Sequence, residues 1–194
     1  MGTIKECINC IISPLTSIFN LSITTGAVPD EMKIAGAIAL YKSGAHNVFT
    51  NYRPVSILPV FSKMLEKIMY KRLLAFLDKQ KILSDTQFGF RKNHSTSYAL
   101  TKLYNKISCA IDNREITVGV LIDLSKAFDT VDHNILLEKL EHYGIRGLAL
   151  NWFRSYLSNR QQYVEFNSLC SSRQQIRCGV PQGSILGPLI SDIH

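Results

Sequence analysis

Apolar residues recur at close to helical spacing at Ile4, Ile8, Ile11, Leu15, Ile18 and Phe19, which predicts an opening helix over Ile4–Ser22. Pro14 should break or kink it, and Gly26 and Pro29 should end it. The Ala- and Ile-rich stretch Lys33–Tyr41, bounded by Gly44, predicts a short buried strand, followed by a polar loop to Asn51. Between Ser62 and Leu77 a stripe of Leu65, Ile68, Met69, Leu73, Phe76 and Leu77 is interrupted only by Arg72, while Lys63, Lys67 and Lys71 take another face. That is an amphipathic helix. The pattern returns over Ser95–Ile111, with Ser95 available as a cap. The period then changes to two. Ile116, Val118, Val120 and Ile122 alternate with their neighbours and predict a strand with Asp123 at its carboxyl end. A turn should lead into a helix that Asp132 caps and Gly144 closes. A further helix over Gly147–Leu157 then leads to a hairpin of Gln161–Asn167 and Arg173–Val180.

Composition narrows the class. A hydrophobic fraction of 46% and a charged fraction of 19% are those of a packed globular chain, and 194 residues make one domain or a domain and a half. No repeat or Gly/Ser-rich linker divides it. No apolar run reaches the roughly 20 residues of a membrane helix, and Met1–Ile12 lacks a secretory pattern, so a soluble, intracellular protein without a membrane partner is expected. Five irregularly spaced cysteines fit a reducing compartment. The net charge of +7 is uneven: residues 1–97 hold 12 Lys and Arg against 6 acids, and residues 98–194 hold 10 against 9. Between Lys63 and Lys92 eight basic residues face three acidic ones, which suits either a phosphate-backbone surface or a solvated helix face.

The chemistry concentrates in Asp123-Leu-Ser-Lys-Ala-Phe128-Asp129. A carboxylate at a strand exit suits a hard divalent cation, and the turn behind it can turn amides toward a phosphate. A carboxylate capping its own turn is the structural alternative. Cys7-Ile-Asn-Cys10 has the spacing of half a zinc site with no second half, and His46, His94, His133 and His142 show no ligand spacing. No nucleophile-elbow or phosphate-loop pattern points to a hydrolase.

Val120-Leu-Ile-Asp-Leu-Ser-Lys-Ala-Phe-Asp-Thr-Val-Asp132 resembles motif A of the reverse transcriptases of non-LTR (LINE-type) retrotransposons. Gly179-Val-Pro-Gln-Gly-Ser-Ile-Leu-Gly-Pro-Leu189 resembles their motif B. Asn51-Tyr-Arg-Pro-Val-Ser-Ile-Leu-Pro-Val-Phe-Ser-Lys-Met-Leu-Glu-Lys67 and Gln87-Phe-Gly-Phe-Arg-Lys-Asn-His-Ser-Thr96 resemble the fingers segments, so the similarity runs from about residue 10 to Leu189.

The resemblance implies roles residue by residue. Asp123 matches the motif A metal ligand, with the Leu124 carbonyl as a secondary ligand. Phe128 matches the aromatic gate that fills the space of a ribose 2′-hydroxyl. Gln182 and Gly183 match the residues beneath the incoming nucleotide and template base, and Arg53 the fingers arginine that clamps the triphosphate. Lys42 is a second candidate for that clamp. Lys67, Lys71, Arg72 and Arg91 supply the basic nucleic-acid surface, whereas Asp129 and Asp132 suit a helix start and a cap. The implied partners are an RNA template, a DNA primer and a dNTP, with two Mg²⁺ or Mn²⁺ ions per complete site.

The family's second carboxylate set is an aromatic-x-Asp-Asp hairpin beyond motif B, and the sequence contains no adjacent Asp-Asp pair. At most one ion is therefore expected to be held, and the chain is expected to be inactive by itself. The expected fold is α/β (α+β): a helical extension over 1–30, fingers over 31–112 and a partial palm over 113–194, of ferredoxin-like split βαβ type and without a thumb. An exposed sheet edge is expected to favour self-association. Two other functions share these features, a non-catalytic basic RNA- or DNA-binding module and the palm of an RNA-dependent RNA polymerase. Phe128 opposes the latter.

Overall fold

The computed structural model describes residues 7–124, 126–166 and 169–194. The chain forms two compact units, one of Met1–Lys71 with Ala127–His194 and one of Arg72–Lys126. In the first, helix α1 (Ile8–Thr25) runs through Pro14 and ends at Gly26, whose φ of 69° lies in the left-handed region. The expected start at Ile4 lies outside the described residues. By length and composition α1 is apolar enough to cross a membrane, with mean hydropathy 1.2. It buries Leu15, Phe19 and Ser22, and the Trp152 indole donates to the Ser22 hydroxyl at 3.1 Å.

The sheet lies in this unit. Strands β1 (Ile34–Tyr41) and β2 (Tyr52–Ile57) are antiparallel, while β1 runs parallel to β3 (Gln161–Phe166). Short strands β4 (Leu169–Cys170) and β5 (Gln174–Gln175) each pair antiparallel with β3. The result is a mixed sheet in the order β2-β1-β3-β4. β1 is the expected strand, buried at Ala35 and Ala37. β2 falls in the stretch that resembles a fingers segment, for which the residue pattern predicted no strand. It tolerates Pro54, which faces Ala39, because it is an edge strand and needs hydrogen bonds on one side only.

Helix α2 (Val60–Lys79) begins in the first unit, where it buries Leu65 and Met69. In the second unit Ser95 caps helix α3 (Thr96–Asp112) by accepting the Tyr98 amide at 3.1 Å, but α3 buries none of its residues. Its apolar stripe, including Leu100, Leu103 and Tyr104, is exposed.

The strand expected over Ile116–Asp123 is not formed. The segment has no regular secondary structure and no partner strand among the described residues, and Ile116, Val118, Val120 and Ile122 are all more than four-fifths exposed. Alternation sets which way side chains point, but a strand exists only where its N–H and C=O groups find a neighbour. The expectation that Asp123 stands at the exit of a buried strand is corrected accordingly.

The helices downstream match their signals. Asp132 caps α4 (His133–His142) by accepting the Asn134 and Ile135 amides at 2.8 and 3.1 Å. These bonds hold its carboxyl below the usual range. Helix α5 (Gly147–Leu157) buries Trp152, Phe153 and Tyr156 and packs on α1 and α4, while α6 (Gly187–Ile193) also packs on α4. The hairpin is shorter than expected on its return arm, which pairs with β3 at Gln174 and Gln175 and continues with the Ile176 amide donating to the Arg160 carbonyl at 2.9 Å. Residues 179 and 180 are hydrogen-bonded elsewhere.

Candidate nucleotide-binding site

Gly179 and Val180 fasten the start of motif B to the end of motif A. The Gly179 amide donates to the Val131 carbonyl and the Val180 amide to the Phe128 carbonyl, both at 2.8 Å. A His133 ring nitrogen meets the Gly179 carbonyl at 2.8 Å. Only glycine fits at 179. Its φ is +83°, and a Cβ there would lie 2.8 Å from the Asp129 carbonyl oxygen and 2.9 Å from that of Phe128.

The following turn docks on β2. The Ser56 amide donates to the Gln182 carbonyl at 2.7 Å, and the Gln182 side-chain amide reaches an Asp129 carboxylate oxygen at 3.3 Å. Gly183, at φ +111°, comes so close that a Cβ would stand 2.7 Å from the Ser56 carbonyl oxygen. That missing Cβ is what lets the turn settle on the strand. A cleft of about 290 Å³ opens here, lined by Pro54, Ser56, Asp129, Cys178 and Gln182 among others.

Arg53 is exposed on β2, two residues before Val55, and so shares its face of the strand. The Val55 methyl is 3.8 Å from the position a Gly183 Cβ would take, while Pro54 and Ser56 of the other strand face line the cleft. Lys42 is exposed just past β1, its amide bonded to the Asn51 carbonyl at 2.8 Å.

Sequence reading missed Glu66 as part of this assembly. It lies on α2 with 1% exposure and accepts the Ile185 amide at 2.7 Å and the Tyr156 hydroxyl at 2.9 Å. Burial raises its carboxyl above the ordinary value against the lowering effect of the Ile185 amide, Tyr156 and Arg160. Burial, with the Glu66 charge, likewise raises the Tyr156 phenol. A signal was present: Ser62, Glu66, Met69 and Leu73 recur at helical spacing and are all buried, so Glu66 is a charge in phase with an apolar stripe.

A family model described as reverse transcriptase (RNA-dependent DNA polymerase) matches residues 41–194. The chain belongs to the reverse transcriptases. It is 34% identical over 186 residues to the probable RNA-directed DNA polymerase from transposon BS of Drosophila melanogaster, covering 92% of this chain and 20% of that protein. It is 36% identical over 180 residues to the RNA-directed DNA polymerase from mobile element jockey of the same species, again covering 92% of this chain and 20% of the relative. A similar protein from the X-element transposon of that species is 32% identical over 190 residues, covering 97% of this chain and 21% of its own length. The chain thus spans about a fifth of the curated relatives it matches. It is of the non-LTR retrotransposon type, as motifs A and B implied.

Within this reverse transcriptase domain the structure seats Gln182 and Gly183 on β2, the strand that carries Arg53, and ties the Phe128 carbonyl to the Val180 amide just before them. Asp123 and Leu124 lie in the second unit and are exposed. Lys67, Lys71 and Arg72 are exposed along α2. Arg91 is engaged within the second unit, donating to the Ser84 carbonyl at 2.8 Å and pairing with Asp78 at 3.4 Å. Among the described residues no group of three or more His, Cys, Asp or Glu gathers to hold a metal.

Proposed function

We propose that this chain forms the fingers and the nucleotide-facing part of the palm of a retrotransposon RNA-directed DNA polymerase. Residues 1–30 are the helical extension, 31–112 the fingers and 113–194 the palm portion, with segment 116–122 a strand of a split βαβ palm once it has neighbours. The observation that carries the reading is the seating of the Gln182–Gly183 turn, fastened to the motif A tail at Phe128 and to the β2 edge at Ser56. In that frame Arg53, with Lys42 as a second cation, faces the triphosphate. Gln182 and Gly183 lie under the base, and the Phe128 ring excludes the 2′-hydroxyl and so disfavours the RNA polymerase reading. Lys67, Lys71, Arg72 and Arg91 supply cationic contacts to the template and primer backbone.

The Asp123 carboxylate and the Leu124 carbonyl are hard oxygen donors, the kind Mg²⁺ or Mn²⁺ takes. Bracketing the attacking and leaving oxygens with two ions needs carboxylates from more than one strand, and the sequence offers no adjacent Asp pair. The 194-residue polypeptide by itself is therefore expected to bind nucleotide and nucleic acid without extending a primer.

The test is photo-cross-linking of an azido-dATP to the polypeptide with an RNA template and DNA primer. dATP should compete at least about tenfold better than ATP, and Phe128→Val should erase the difference, as expected for discrimination by exclusion. Equal competition by ATP and dATP in the unaltered protein would refute the gate. Incorporation in a parallel primer-extension assay with Mg²⁺ or Mn²⁺, abolished by Asp123→Ala, would overturn the expected inactivity.

A further inference from the structure

The turn carrying Gln182 and Gly183 has an anchor that the polymerase reading leaves unused. Ser184 closes the turn internally, its hydroxyl donating to the Pro181 carbonyl at 2.8 Å and accepting the Gly187 amide at 2.9 Å. From outside, the turn is gripped by Glu66, whose Oε2 accepts the Ile185 amide at 2.7 Å, two residues past Gly183. Its Oε1 accepts the hydroxyl of Tyr156, a buried ring that stacks on Trp152 at 5.5 Å. Arg160 covers the same ring at 4.7 Å, is 0% exposed and donates from Nη1 to the Tyr156 carbonyl at 3.1 Å. Its Nε and Nη2 have no hydrogen-bond partner among the described residues.

A leucine at 66 would fill the same place without desolvating a charge, so a carboxylate there costs stability unless its bonds return it. Those bonds join α2, α5 and the motif B turn, which core packing alone does not require.

We propose that Glu66 is a positioning residue of the nucleotide site. It fixes the Pro181–Leu186 turn, and with it the height of Gln182 and Gly183 above β2, without touching the nucleotide. This rests on the assignment of Gln182 and Gly183 to nucleotide binding. Glu66→Leu strands the Ile185 amide, whereas Glu66→Gln keeps an acceptor oxygen for it.

Hydrogen exchange of the 194-residue polypeptide decides between a clamp and a core residue. Glu66→Leu should speed exchange in peptides covering 180–187 by about tenfold, the effect of one lost hydrogen bond to a charged group, with peptides covering 147–157 unchanged. Glu66→Gln should stay within about threefold of the unaltered protein. dATP with template and primer should slow exchange at 180–187 in the unaltered protein and in Glu66→Gln, and not in Glu66→Leu. Unchanged exchange in Glu66→Leu, or equal acceleration across the whole first unit, overturns the clamp. If Leu at 66 prevents folding, exchange at 180–187 more than about threefold faster in Glu66→Gln overturns it. Absence of any dATP effect in the unaltered protein overturns the nucleotide assignment instead, since the exchange rates without nucleotide are judged separately.

Discussion

Replacing Gly179 by alanine should destabilise the first unit by about 3 kcal/mol, of which about 1 is the cost of holding an L-residue at φ +83°. The rest comes from the Cβ, which would stand 2.8 to 2.9 Å from Asp129 and Phe128 backbone atoms that cannot swing aside as the tip of a flexible side chain can. Relieving it means parting the two strands of chain. That breaks the Gly179 and Val180 amide bonds, each 2.8 Å long and worth about 1 kcal/mol. Gly147 supplies the comparison, because its φ is +59° but a Cβ there meets nothing within 4 Å. Gly147→Ala should therefore cost only about 1 kcal/mol, and the difference of about 2 between the variants isolates the close approach. The assay is urea unfolding followed by the fluorescence of Trp152, the single tryptophan, 1% exposed and within the first unit. With an m-value of about 2 kcal/mol/M, the Gly179→Ala midpoint should fall by about 1.5 M and the Gly147→Ala midpoint by about 0.5 M. Equal shifts would refute the claim that motif B must pass this close to motif A.

Tyr156 gives an alkaline limit: its folded phenol is raised by burial and the Glu66 charge, so its contribution is fully present below the ordinary value of 10.0 and is lost as pH rises through the folded value. Stability measured by the Trp152 signal should fall above about pH 10 in the unaltered protein and stay flatter in Tyr156→Phe. Asp132 works in the opposite sense. Its carboxyl is lowered by the Ile135 and Asn134 amides, so the cap's contribution is present above 3.8 and lost as pH falls through the lower folded value, and Asp132→Ala should remove that acid dependence from helix content by circular dichroism. Neutralising Lys67, Lys71 and Arg72 to Gln should reduce the slope of log affinity against log salt for a template–primer duplex by about 2 to 3, and an unchanged slope would remove α2 from the nucleic-acid interface. Lysines at Val118 and Val120, which are 82% and 81% exposed, should lower concentration-dependent light scattering if this segment recruits other chains.

Local chemistry was legible in the sequence and pairing was not. The caps at Ser95 and Asp132 and the turn at Gly26 are decided within a few residues, by a hydroxyl or carboxylate meeting the next free amides or by a backbone that only glycine enters cheaply. Strand identity depends on partners far along the chain. Tyr52–Ile57 contains a proline and is a strand, because β1 supplies one side and an edge strand asks for no other. Segment 116–122 has a far cleaner alternation and stays unpaired among the described residues.

The same division runs through the site. Asp123, Phe128, Gln182 and Gly183 were singled out by residue type and order, but what holds Gln182 and Gly183 was read as structural or missed. Asp129, assigned to a helix start, lines the cleft and meets Gln182 at 3.3 Å. Glu66, one charge among several on a basic helix, is buried under the turn. A helix with lysines on its open face has no electrostatic need for a glutamate on its closed one. There the burial cost of a carboxylate is offset by groups brought from elsewhere in the fold, here the Ile185 amide, the Tyr156 hydroxyl and the Arg160 charge. A charge in phase with an apolar stripe therefore points to a distant backbone that needs holding, and in this chain that backbone is the turn beneath the proposed nucleotide.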